Sequence, residues 1–107
     1  LTPENKVKKQ IDDWFKLLGE RVYPYKPIKR ALGARTIDYL ICLDGMYLGI
    51  EAKSATGRLT DLQAKTLKRI AKAGGLAYVA RPGYGGARFV LHRLDKNGVE
   101  VRKGIIT

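Results

Sequence analysis

Apolar residues recur at helical spacing from the first turn of the chain. Val7, Ile11, Trp14, Phe15 and Leu18 share one stripe, while Lys6, Lys8, Lys9 and Lys16 fall mostly off it; this predicts an amphipathic helix over about 3–18. Thr2 is placed to cap that helix, Pro3 fits its first turn and Gly19 ends it. The next stretch, RVYPYKPIKRALGAR (21–35), carries two prolines and no clear period. It reads as a looped or edge-like segment with room for a short strand near Val22-Tyr23. The pattern then turns β-rich. In TIDYLICLDGMYLGIEAK two such runs flank Asp44-Gly45, a strong hairpin signal that predicts strands over 36–43 and 46–53. After the loop SATGR, Thr60 opens a second helix over 61–73 with the stripe Leu62, Leu67, Ile70 and Ala71, ended by Gly74-Gly75. LAYVAR (76–81) is a short apolar strand and PGYGGA a turn-rich loop. The remainder, RFVLHRLDKNGVEVRKGIIT, fits either a hairpin across Lys96-Asn97-Gly98 or a short helix over 87–94. The order α-β-β-β-α-β followed by this tail is that of a single α/β domain over residues 1–107.

Composition narrows the function classes. The chain has 107 residues, 45% of them hydrophobic, enough for one modest core. Lys and Arg number 21 against 10 acidic residues, a net charge of +11. That excess points to a polyanionic partner, nucleic acid first and an acidic membrane surface second. No segment approaches a membrane span and no signal peptide is visible. The chain begins at Leu1 rather than Met, which leaves open a trimmed N-terminus or a longer parent. A lone cysteine, Cys42, excludes an internal disulfide and a cysteine-built zinc cluster. It reads as a small buried hydrophobe in a reducing, cytoplasmic setting.

The hairpin carries the chemistry. With a two-residue loop at Asp44-Gly45, Leu43 faces Met46, and counting back places Asp38 opposite Glu51 on one face. Lys53 follows one pleat on, and the opposite face (Ile37, Tyr39, Ile41, Leu48, Ile50, Ala52) forms a core surface. Like charges directly opposite are destabilising. A divalent cation such as Mg²⁺ or Mn²⁺ would resolve the conflict; an exposed Asp–Lys–Glu ion-pair ladder is the plainer alternative. Lys65, Lys68, Arg69 and Lys72 form a row on the second helix, suited to phosphates or simply solvated.

At these residues a resemblance emerges. A lone Asp followed by E-A-K at a strand end looks like the PD-(D/E)xK nuclease superfamily. The run GARTIDYLICLDGMYLGIEAKSATGRLTDLQAKTLKRIAKAGGLAYVAR resembles its VRR-NUC branch across residues 33–81, with Val79-Ala80-Arg81 where that branch has Val-Arg-Arg. The resemblance implies a restriction-endonuclease-like core: a mixed central sheet flanked by helices. It further implies a metal-dependent endonuclease that prefers branched DNA such as Holliday junctions, acts as a homodimer and often has a phage or bacterial origin. Position by position, Asp38 and Glu51 match the metal-binding carboxylates, joined by the Ala52 carbonyl, and Lys53 the catalytic lysine. Gln63 matches the glutamine of the following helix, and Glu4, more loosely, the acidic residue of the first. Two of these have plain alternatives. Gln63 completes a capping box with Thr60, and Glu4 suits a helix N-terminus by charge alone.

Together these readings describe metal-assisted hydrolysis of DNA. Lys53 serves as a base or as a stabiliser of phosphate charge. Lys26, Lys29, Arg30, Arg35 and Arg58, with the four cations of the second helix, are candidates for backbone contacts that carry no base information. The rival readings are a non-catalytic basic module that binds junctions and a small RNA-associated structural protein.

Overall fold

The computed structural model describes residues 1–28 and 37–106, with 102, 103, 105 and 106 described by backbone alone. Lys29, Arg30 and Arg35 therefore lie outside the described residues. The elements follow as α1 (Pro3–Leu18), a 3-10 turn (Gly19–Arg21), β1 (Val22–Tyr25), β2 (Tyr39–Leu43), β3 (Met46–Ala52), α2 (Asp61–Lys72), β4 (Leu76–Pro82), β5 (Phe89–Leu94) and β6 (Glu100–Ile106). The strands form one sheet in chain order. β3 and β4 are parallel, and every other neighbouring pair is antiparallel. A parallel pair needs a long crossover, and α2 supplies it. The fold is the expected mixed α/β architecture with helices on both sides of the sheet.

Each helix covers one face. Val7, Ile11 and Phe15 of α1 pack with Tyr39, Ile41, Leu48, Ile50, Ala52 and Phe89. The ring of Trp14 meets Phe89 edge-on and Phe15 meets Tyr39 the same way, with centroids 5.7 and 5.6 Å apart. On the other face Leu67 of α2 packs with Ile37, Ala77, Val79 and Leu94. Burial on both faces explains why residues 48–52 of β3 are all buried, since a central strand has no solvent side. Gly49 lets α2 approach. A Cβ there would lie 2.6 Å from Ile70 Cδ1 and 2.7 Å from Ile37 Cδ1. Gly49→Ala is therefore expected to destabilise the protein by about 1–3 kcal/mol through overpacking, read as a lower midpoint in urea.

The hairpin register is the one counted from the sequence, with Leu43 paired to Met46 and Tyr39 to Ile50. Asp44 and Gly45 have φ of 50° and 83°, the left-handed pair that a two-residue turn requires. The Arg21 guanidinium grips the Asp44 carboxylate at 3.0 and 2.7 Å and holds it below the usual carboxylate range.

Several expectations change. β2 begins at Tyr39 rather than at residue 36, and the chain bends at Asp38. The strict alternation therefore does not extend back to Ile37, which packs under α2 instead of beside Tyr39 and Ile41. Leu62 is exposed; its place in the inward stripe of α2 is taken by Gln63, whose side chain turns to the sheet. Cys42 is exposed rather than buried, on the opposite side of β2 from the buried Ile41. Tyr47 is about half exposed. After Pro82 the hairpin reading holds and the helix over 87–94 does not. β5 and β6 pair antiparallel, joined by a turn in which the Asp95 carboxylate accepts the N–H groups of Asn97 and Val99, both at 2.9 Å.

Candidate functional site

The β2–β3 ladder stops at Tyr39–Ile50, and two side chains continue its bonding. Asp38 N–H donates to Glu51 Oε1 at 3.0 Å, and Ala52 N–H donates to Asp38 Oδ2 at 2.9 Å. Each carboxylate thus accepts an N–H from the opposite segment, which locks the two acids at the mouth of the hairpin. Both are buried, Asp38 at 9% and Glu51 at 2% exposure. Buried carboxylates are costly unless hydrogen-bonded and charge-compensated, and the surrounding donors meet both conditions. Lys53 Nζ lies 3.7 Å from Glu51 Oε2, with only 12% of its side chain exposed. Lys8 Nζ lies 3.5 Å from Asp38 Oδ1.

Gln63 makes both contacts that the sequence posed as alternatives. Its Oε1 accepts Thr60 N–H at 2.9 Å, while Thr60 Oγ1 accepts Gln63 N–H at 3.2 Å, completing the capping box. Its Nε2 simultaneously donates to Glu51 Oε2 at 3.0 Å. One amide therefore seats the first turn of α2 and orients the buried glutamate. Glu4 is further out. Its carboxylate contacts Lys8 Nζ at 3.4 Å, so among the contacts of these residues it is Lys8 that links Glu4 to Asp38.

Two residues of this site carried no functional assignment in the sequence reading. Lys8 counted only as a lysine off the apolar stripe; its spacing of four from Glu4 was the available signal. In the sequence Arg81 stands out only as the last residue of Val79-Ala80-Arg81. Its Nη1 donates to the carbonyls of Ser54 and Gly57 at 2.8 and 2.7 Å, and its Nη2 lies 3.5 Å from Glu100 Oε1. Together with the bond from Lys53 N–H to Ala80 O at 2.9 Å, it ties the loop that follows Lys53 to β4. Tyr39 closes the α1 side, its hydroxyl donating to Lys8 O at 3.2 Å. Burial, then the charges of Asp12, Asp38 and Glu51, push its phenol well above the usual range, so it stays neutral. His92 lies on β5, its Nδ1 3.1 Å from Glu100 Oε2.

The donor chemistry fits a hard divalent cation: two buried carboxylates tied to opposite segments of one hairpin. Among the described residues no group of three or more Asp, Glu, His or Cys side chains could hold a metal ion. Any cation here would rely on backbone oxygen and water for its remaining ligands, as Mg²⁺ commonly does. Of the candidate phosphate contacts, Arg58, Lys65, Arg69 and Lys72 are exposed. Lys68 is partly buried, its stem close against Gly98, and Lys26 pairs with Asp12 at 3.4 Å. Among the described residues no helix is long and apolar enough to cross a membrane.

No family model matches the chain, and no curated protein matches it by sequence. Among solved structures it resembles Hjc of Archaeoglobus fulgidus, a Holliday junction resolvase from an archaeal hyperthermophile. The TM-score is 0.60 at 17% identity, over 94% of this chain and 84% of that one. The likeness at this identity is one of fold, and it agrees with the restriction-endonuclease-like architecture expected from the sequence.

Proposed function

We propose that this protein is a small VRR-NUC-like nuclease: a Mg²⁺- or Mn²⁺-dependent endonuclease that hydrolyses phosphodiester bonds in branched DNA. The observation that carries the proposal is the buried interlock of Asp38 and Glu51 with Lys53 and Gln63 at the hairpin mouth. A surface ion-pair ladder would not bury two acids and bond each to the opposite segment. The fold shared with Hjc, whose substrate is the Holliday junction, supports the choice of branched DNA. The net charge of +11 suits a polyanion.

Asp38, Glu51 and the Ala52 carbonyl would hold the cation, which when bound supplies charge neutralisation at the phosphate and acidifies a water. Lys53 offers an amine in the same pocket, to orient the attacking water or to offset charge on the phosphate in the transition state. Gln63 holds Glu51 in one rotamer, and Arg81 holds the loop that carries Lys53 onward to Arg58. Arg58, Lys65, Lys68, Arg69 and Lys72, with Lys29, Arg30 and Arg35, contact the DNA backbone and select shape rather than sequence. The protein acts as a homodimer, because resolving a four-way junction by paired cuts needs two sites.

The test is cleavage of a labelled four-way junction by the wild-type chain with Mn²⁺, with excess chelator, and by Asp38→Asn. Asparagine keeps an oxygen for Ala52 N–H and removes the charge. Cuts by the wild type with Mn²⁺ alone, and retained junction binding by the variant, are expected. Binding by both proteins with cleavage by neither would favour a non-catalytic binding module.

A further inference from the structure

Asp38 presents its two oxygens unequally. Oδ2 accepts Ala52 N–H at 2.9 Å, while Oδ1 has the Lys8 ammonium at 3.5 Å. The same ammonium lies 3.4 Å from Glu4 Oε2, and the Lys8 side chain is 34% exposed. An α1 lysine therefore reaches the carboxylate that a cation would use, on a flexible four-carbon stem with an open way to solvent. Its base is fixed independently of its head, because the Lys8 carbonyl accepts the Tyr39 hydroxyl at 3.2 Å.

We infer that Lys8 is a resident counter-ion of the site, one that a divalent cation must displace from Asp38 Oδ1. The inference rests on the reading of Asp38 and Glu51 as a cation site. Without a cation, the ammonium neutralises a buried carboxylate and holds Glu4 nearby. With one bound, two positive centres cannot share a single oxygen at close range without strong repulsion, so the head of Lys8 moves outward. Cation affinity in this protein is thus set partly by a residue that binds no cation. The site takes up its ion against an internal competitor, which keeps the acids compensated between turnovers.

The experiment is Mn²⁺ titration of the full chain by calorimetry, for the wild type, Lys8→Met, Lys8→Arg and Lys9→Met. Lys9 pairs with Asp13 at 3.4 Å and controls for the loss of one positive charge elsewhere on α1. Lys8→Met should bind Mn²⁺ about tenfold more tightly, the order expected for removing a unit charge close to a dication in a partly solvated site. Lys8→Arg and Lys9→Met should stay near the wild type. In chelator, Lys8→Met should melt below the wild type, and saturating Mn²⁺ should close that gap. Unchanged or weaker Mn²⁺ binding by Lys8→Met, while the wild type binds, overturns the inference and leaves the cation site standing. Absence of Mn²⁺ binding by the wild type and Lys8→Met alike overturns both.

Discussion

Glu51→Gln is expected to lower stability by about 1–3 kcal/mol, the cost of an unsatisfied buried donor, and to cut junction cleavage by about a hundredfold or more, as losing a preorganised charge does. The substitution is nearly isosteric, so packing is not the cause. Glu51 accepts Asp38 N–H on one oxygen, and on the other it accepts Gln63 Nε2 and faces Lys53. A glutamine has one oxygen for these two directions, and its NH₂ must then face a donor. Gln63 cannot relieve the clash by flipping, because its oxygen is held by Thr60 N–H. Against this stands a gain: removing one of two neighbouring buried acids reduces their repulsion. Lys8 and Lys53 already offset much of that repulsion, so the orphaned donor should dominate. Urea unfolding followed by the fluorescence of Trp14, the single tryptophan, measures the balance. A variant as stable as the wild type would show that repulsion, rather than hydrogen bonding, governs the pair.

The same residues explain what was legible in the sequence. The Asp-Gly turn sets the register, and arithmetic alone brought Asp38 opposite Glu51. The arithmetic assumed a regular ladder as far as residue 36, however, and the ladder ends at Tyr39 because the two carboxylates take the backbone N–H groups beyond it. Side-chain-to-backbone bonds of this kind leave no periodic trace. Nor does the second buried face. Leu48–Ala52 reads as an ordinary strand end until α2 lies over Gly49, and only then is Glu51 enclosed. Lys8 and Arg81 escaped notice for a related reason. Both act across elements distant in sequence, 30 residues from Lys8 to Asp38 and 27 from Ser54 to Arg81, and no local pattern encodes such contacts. The helix stripes were read correctly where the partner surface was a sheet core, as at Val7, Ile11 and Phe15. They failed at Leu62, where the inward position went to a polar residue with a bond to make.

That residue gives the sharpest separation of fold from site, through Gln63→Glu. Glutamate at this position completes a capping box as well as glutamine does, and its charge suits a helix N-terminus. The bond from Thr60 N–H and the start of α2 should therefore survive. What is lost is the donor to Glu51 Oε2, now 3.0 Å away, replaced by a second carboxylate at the same place. Two acids so close do not both ionise readily, so the introduced carboxyl is expected to be held above its ordinary range. A carboxylate with a raised folded-state pKa contributes stability that is present below the unfolded value and lost as pH rises through the folded one. The gap between variant and wild type should therefore be small near pH 4 and should widen toward pH 8. Mn²⁺ should reverse the trend, because three acids then share one cation, and the melting temperature of the variant should rise more with Mn²⁺ than that of the wild type. Urea midpoints from pH 4 to 8, with Mn²⁺ and with chelator, test both effects. A gap that ignores pH and Mn²⁺ alike would reduce Gln63 to a helix cap. A gap that follows both would mark it as the residue that couples the seating of α2 to the charge state of the buried acids.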